Sequence, residues 1–399
     1  MLTPPTYPGV YVEERPSSAH RIAGVSTSVT AFVGRTVSGP TDAPTRVTSV
    51  SDFERRYGGL STDCPLTYAV RHFFQNGGAE AVVARIVHRD ATGVADESAP
   101  ITDADITEAA LEVQHRGLWL LDQCDTLNLI CIPPLAPGVD VAPSTWNTTI
   151  RYAAARRAFV IVDPPATWTN TADVAAAVDQ FVTRDSHAAL YFPRVLAPDP
   201  LAGNRPRPFA PCGAVAGIYA RTDTQRGVWK AAAGLDANLL GITDLTVPIS
   251  DTENGPLNRL AIDALRRFPG AGVVVWGART LAGTDSLASE WKYVNVRRLA
   301  LFLEESIYRG LQWVAFEPNG EPLWAQIRVN LGAFLQNLFR QGAFQGTSPR
   351  EAYFVKCDRD TTTQTDIDLG IVNVTVGFAP LKPAEFVILN IQLTVATAA

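Results

Sequence analysis

The rhythm of apolar and polar positions changes along this 399-residue chain. Near the start, "GVYVEE" alternates with period two: Val10 and Val12 fall on one side, Tyr11 and Glu13 on the other. Pro4, Pro5, Pro8 and Pro16 forbid a helix around it, so residues 1–24 read as an extended arm carrying one strand. "VSTSVTAFVG" is a β-rich run that ends at a glycine. "SVSDFERRYGG" predicts a helix with Ser51 as N-cap and Glu54 completing a capping box. In "PLTYAVRHFFQNGGAEAVVARIV" a helix stops at Asn76-Gly77-Gly78, and a buried strand follows over 81–87. Residues 88–107 are acidic, polar and weakly patterned, which predicts a linker or surface loop.

From 108 to about 279 the chain alternates short apolar runs with helical stretches. The runs cover 127–132, 158–163, 188–193 and 272–277; "NTADVAAAVDQFVTR" is one of the helical stretches. Apolar strands at this spacing predict a parallel sheet covered on both faces. Beyond Asp285 two helices repeat apolar residues at the 3.6 period. The first carries Leu299, Phe302, Leu303, Ile307 and Leu311; the second, over 322–341, carries Trp324, Ile327, Leu331, Phe334, Leu335 and Leu338. Three strand-like runs close the chain: "AYFVKCD", "GIVNVTVGFAP" and "AEFVILNIQLTV". In the last, Val387, Leu389, Ile391, Leu393 and Val395 share one face. Each end of the chain therefore carries a strand pattern with no partner close in sequence.

Composition narrows the function classes. The chain is 46% hydrophobic and 19% charged, as expected of a soluble globular protein with a sizeable core. A net charge of −6 argues against a general nucleic-acid binder. The five cysteines show no CxxC spacing and the five histidines no HxxxH pair, so neither a zinc site nor a disulfide framework is expected. "MLTPPTYPGVYVEERP" does not read as a signal peptide, and no apolar run reaches the roughly 18–20 residues of a membrane span.

The search for chemistry yields one constellation. Asp163 ends a strand, His187 precedes another and Ser286 opens a helical region, in the chain order that subtilisins use. The local contexts oppose a working triad: Asp163 is followed by two prolines, His187 by two alanines and Ser286 by leucine. "GARTLAGTD" matches no phosphate-binding loop. Asp358, Asp360, Asp366 and Asp368 lack the spacing of a calcium loop and read as a solvated polar segment. No catalytic, cofactor-binding or metal-ligating residue is assigned, and a subtilisin-like serine hydrolase is the alternative reading.

Motifs spread over the chain carry a resemblance. "YPGVYVEE", "GVSTSVTAFVG", "FFQNGGAEAVVARIV", "GVWKAAAG", "GARTL", "EWKYVNVRRLALFLEESI", "GLQWVAFEPN", "LWAQIRVNLGAFLQNLFRQGAFQG", "EAYFVKCD" and "DIDLGIVNVTVGFAPLKPAEFV" resemble the tail sheath proteins of contractile injection systems. That class includes phage tails, R-type tailocins and extracellular phage-tail-like particles. Ala232 stands where the family usually has proline.

The resemblance implies an α/β chain: a non-catalytic, parallel-sheet, subtilisin-like domain followed by an α+β sheath C-terminal domain with extended terminal strand arms. The expected division is an N-terminal arm (1–24), a small α/β segment and linker (25–107), the subtilisin-like domain (108–282), the sheath core (283–383) and a C-terminal arm (384–399). The arms, through Val10, Tyr11, Val12 and Glu13 and through Val387, Leu389, Ile391 and Leu393, are expected to complete a β-sheet in neighbouring subunits. The run 385–395 spans about 36 Å when extended, enough to reach a neighbour. The implied partners are further copies in a helical polymer, sheath paralogues, an inner tube, and baseplate and terminator or cap proteins, with no nucleic acid and no membrane insertion. Assembly would take place in the bacterial cytoplasm, within a phage tail or a particle released from the cell. Arg328, Gln336 and Arg340, with Arg350 just beyond, are the expected tube-facing residues.

Overall fold

The computed structural model describes residues 20–90 and 92–386. They gather into two compact units. The larger holds Gly24–Glu305, Ala343–Gln345 and the segment from Ala379 onward; the smaller holds Ser306–Gly342 and Gly346–Phe378 together with residues up to Ala23. The division falls within the helix Val294–Gly310.

An eight-stranded sheet forms the frame of the larger unit. From one edge to the other its strands are Gly272–Val275, Ile262–Phe268, Ala188–Phe192, Phe159–Val162, Leu129–Cys131, Thr30–Gly34, Ala81–Arg85 and Thr45–Val47. Every inner pair is parallel, and only the two edge strands run antiparallel. The apolar runs at 127–132, 158–163 and 188–193 thus become parallel strands, whereas the 272–277 run becomes an antiparallel edge. Thr30–Gly34 lies between Ala81–Arg85 and Leu129–Cys131, so residues on either side of position 107 share one sheet.

Period-two alternation divides the strand side chains between two cores. Ala31, Ile130, Val160 and Leu190 point to one face, and Phe32, Cys131, Ile161 and Tyr191 to the other. The first face is covered by Pro143–Ala155 through Trp146 and Ile150, and by Thr171–Phe181 through Val174 and Val178. The second is covered by Pro65–Gln75, Cys212–Arg226 and the start of Val294–Gly310. Burial on both sides explains why these strands read as continuous apolar runs.

Two local expectations are corrected. The first helix spans Val50–Tyr57 and is capped by Ser49, whose side chain accepts from the Asp52 amide, rather than by Ser51. Residues 88–107 are not a plain linker: His88–Arg89 pairs with Ala95–Asp96, and Asp103–Thr107 is a short helix with a capping box built by Thr102 and Asp105. These elements are short and polar, so periodicity does not register them.

The helices Pro65–Gln75 and Cys212–Arg226 approach closely at two glycines. A Cβ on Gly213 would lie 2.1 Å from the Ala69 carbonyl oxygen, and one on Gly217 2.5 Å from that of Phe73. Helical glycine is ordinarily a cost relative to alanine, but here it lets two backbones touch.

In the smaller unit the helix Glu321–Arg340 buries Leu323, Trp324, Ile327, Leu331, Phe334, Leu335 and Leu338. This is the stripe its periodicity predicts. The Trp324 indole N–H donates to Asn319 Oδ1 at 2.9 Å. Tyr353–Lys356 packs on this helix and pairs antiparallel with Thr375–Phe378. Gly332, on the same helix, has open space where a Cβ would stand.

The two helical glycines give opposite expectations. Gly213→Ala forces the helices apart and should lower stability by about 1–3 kcal/mol, despite the higher helix propensity of alanine. Gly332→Ala should raise it by up to about 1 kcal/mol. Thermal unfolding of both variants beside the parent checks the signs; a more stable Gly213→Ala would disprove the close contact.

Candidate functional site

The three residues of the hydrolase reading are not assembled into a triad. Asp163 is buried at the end of Phe159–Val162, where its Oδ1 accepts from the Cys212 backbone N–H at 2.8 Å. Burial pushes its carboxyl up to about 7. His187 is engaged at both ring nitrogens, Nδ1 with Asp185 at 2.9 Å and Nε2 with Arg297 at 2.8 Å. The Ser286 hydroxyl pairs with that of Thr284 at 3.1 Å and sits in a turn, not at the start of a helix. His187 is oriented by Asp185 rather than by Asp163, and a nucleophile bonded to this base is missing from these contacts.

The acidic run at 358–368 is likewise structural. Asp358 accepts from the amides of Asp360 and Thr361, Asp366 caps the short helix Gln364–Asp368 with Thr363, and Asp368 accepts from Gln364. Among the described residues no group of acidic, histidine or cysteine side chains is arranged to hold a metal.

What the larger unit builds instead is a pair of buried arginine anchors. Arg298, on Val294–Gly310, makes a two-point pair with Asp223 of Cys212–Arg226, at 3.0 and 2.6 Å, and each side chain is only 5% exposed. Both partners also grip the chain near its start: Arg298 donates to the Thr27 carbonyl at 2.8 Å, and the Thr27 hydroxyl donates to Asp223 at 2.6 Å. The guanidinium lies over the Tyr219 ring, 4.6 Å from its centre. One ion pair thus fastens two helices and the segment entering the sheet.

The second anchor holds the chain near its other end. Arg279 is 2% exposed, and its Nε and Nη2 donate to the two carboxylate oxygens of Glu385 at 2.7 and 2.6 Å. Its Nη1 donates to Asp285 and to the carbonyls of Asn258 and Gly283. Its backbone N–H is accepted by the buried Asp263. Asn295 reaches the same closing segment, donating to the Leu381 carbonyl at 2.9 Å and to that of Trp229 at 2.8 Å. Sequence reasoning missed both anchors. Arg279, Arg298 and Glu385 stood inside "GARTL", "EWKYVNVRRLALFLEESI" and "AEFV", whereas Asp223 stood in none of the quoted motifs, and nothing local shows which arginine meets which carboxylate.

In the smaller unit, Tyr353–Lys356 and Thr375–Phe378 pair with each other and with no third strand among the described residues. Phe354 is half exposed on that sheet. Of the expected tube-facing residues, Arg328 pairs with Glu321 at 2.6 Å and donates to the Cys357 carbonyl, and Gln336 accepts from the Tyr353 hydroxyl at 2.8 Å. Arg340 and Arg350 are exposed. The expected arm residues Val10, Tyr11, Val12, Glu13, Val387, Leu389, Ile391 and Leu393 lie outside the described residues.

Comparison with known proteins places this architecture. Residues 128–281 match the phage tail sheath protein central domain and residues 287–394 the phage tail sheath C-terminal domain. The chain belongs to the contractile tail sheath family.

Among solved structures, this sheath chain is similar to the sheath of an extracellular contractile injection system, the PVC sheath complex in its contracted state. The two are 29% identical with a TM-score of 0.76, and the match covers 99% of each chain. It is similar also to the helical sheath of the anti-feeding prophage in its contracted state, at 28% identity and TM-score 0.73, covering 97% of this chain and 99% of that one. The tail sheath protein of Enterobacteria phage T4 is 27% identical over 182 residues, 45% of this chain, and that of Vibrio phage KVP40 is 27% identical over 183. The chain spans only 26% of the length of these two phage proteins.

Removing the Asp223 charge tests the first anchor. Asp223→Asn leaves a buried guanidinium without a counter-charge, which should cost about 3–5 kcal/mol. A guanidinium chloride unfolding midpoint within error of the parent would show that the pair is not holding the unit together.

Proposed function

We propose that this chain is the structural subunit of a contractile sheath, polymerising as a helical sleeve around an inner tube and shortening to drive that tube through a target envelope. The near end-to-end correspondence with the PVC and anti-feeding prophage sheath chains carries this reading. On it, the fold up to about residue 282 is the non-catalytic, subtilisin-like scaffold and 283–383 the sheath core. Arms 1–24 and 384–399 are donated to neighbours, and baseplate and cap proteins bound the polymer.

The two-stranded sheet of the smaller unit supports arm donation. Packing on Glu321–Arg340 supports this sheet from one face, but its open strand edges invite further strands. Strands added from neighbouring copies would satisfy those edges and link the subunits head to tail, the contact geometry that generates a helix. Deleting residues 1–20, or 387–399, should leave a soluble subunit that forms no long tubes by negative-stain microscopy. Sheaths of normal length from either truncation would sink arm exchange.

The tube grip we assign to the solvent side of Glu321–Arg340 and the turn after it. Arg340 and Arg350 are free to meet an acidic tube surface, with Gln326, Val329, Ala333 and Asn337 exposed along the same helix, and Arg328 and Gln336 flank them. Exposed ion pairs contribute about 0–1 kcal/mol each, so the grip would come from repetition. Arg340→Glu combined with Arg350→Glu should weaken co-sedimentation with the tube in low salt while sheath–sheath assembly persists. Binding that ignores both the charge reversal and added salt would move the contact elsewhere.

A further inference from the structure

The closing segment of the chain is fastened at three separate points before residue 387. The Gln345 N–H donates to the Ala379 carbonyl at 2.9 Å, and Phe344 bridges Pro380. Asn295 holds the Leu381 carbonyl. Glu385 then enters the Arg279 guanidinium.

The last contact differs from the others in kind. The acceptors of Nη1 come from Asn258, Gly283 and Asp285, and Asp263 fixes the backbone N–H. The arginine is therefore oriented by residues that do not belong to the closing segment. Its Nε and Nη2 face a single carboxylate, Glu385, in the paired geometry that guanidinium and carboxylate adopt best. The site is a socket with its own walls, and the segment supplies the plug. A backbone bond or an apolar contact tolerates sliding, whereas a two-point ion pair in a socket only 2% exposed fits one residue of the segment.

We infer that Arg279 is a positioning residue that sets the register at which the C-terminal segment leaves the α/β unit, with Glu385 as the register mark. Because successive strand residues alternate faces, a slip of one residue would turn every apolar side chain beyond Glu385 to the wrong side. The socket would thus decide which face of "VILNIQLTV" a neighbour meets. This consequence rests on the arm-donation reading, but the socket itself does not.

Hydrogen exchange on the full-length chain before assembly tests it, using Glu385→Ala and the milder Glu385→Gln. Exchange at the Gln345 amide, which donates to the Ala379 carbonyl, should accelerate about tenfold or more in Glu385→Ala and less in Glu385→Gln, while Cys212–Arg226 keeps its protection. Unchanged exchange at Gln345 in both variants overturns the inference. So does protection lost evenly across the sheet, because Glu385 would then be supporting the fold rather than the segment. Accelerated exchange at Gln345 together with normal tubes from the 387–399 deletion would sink arm donation and leave the socket standing.

Discussion

A guanidinium taken out of water has to be met by carboxylates and carbonyls, or the fold that buries it is lost. Arg298 and Arg279 impose that condition on the segment that enters the sheet and on the closing segment. Arg298 is satisfied only if Asp223 and the Thr27 carbonyl arrive together. Arg279 is satisfied only if Asp285 and Glu385 do. Replacing a buried ion pair by apolar side chains is often neutral for stability, so stability alone does not account for two of them. Position does: an apolar contact fixes that a segment is buried, and a two-point ion pair fixes which residue of it is where.

The layers of the fold were legible in the sequence because burial on both faces leaves continuous apolar runs at 129–131, 159–162 and 188–192. The amphipathic helix over 321–340 was legible for the complementary reason, one buried stripe. Ile262–Phe268 was not. It carries Asp263, Arg266 and Arg267, and its second half pairs only with an antiparallel edge strand, where charged side chains can face solvent. Strand order was also hidden. Nothing local says that Thr30–Gly34 sits between strands starting at 81 and 129, because parallel pairing is a long-range choice.

The site was legible only as motifs. "GARTL" marked Arg279, but its partner lies 106 residues on. Asp163 shows the converse. A carboxylate at a strand end in a parallel sheet invites a catalytic reading, yet here it caps the start of Cys212–Arg226 from inside the core and is raised toward neutrality by its burial. A shifted carboxyl is evidence of a site only when a nucleophile or an open cleft accompanies it.

On the proposed function, a sleeve that shortened without a nucleotide would have to store energy in its lattice. Burying an extra few hundred Å² per subunit on shortening would release several kcal/mol at roughly 25 cal/mol per Å², and a long polymer multiplies that. The release is useful only if subunit motion is transmitted rather than absorbed. A close-packed α/β body with glycine-mediated helix contacts resists deformation. Chain segments pinned to it by Arg298 and Arg279 would then carry its rotation outward, because slack at either anchor would dissipate the stroke within the subunit. On the proposed function, rigidity in the body and fixed attachment of the segments at Thr27 and Glu385 are the properties that such a mechanism would demand; close packing supplies the first and the two buried ion pairs the second.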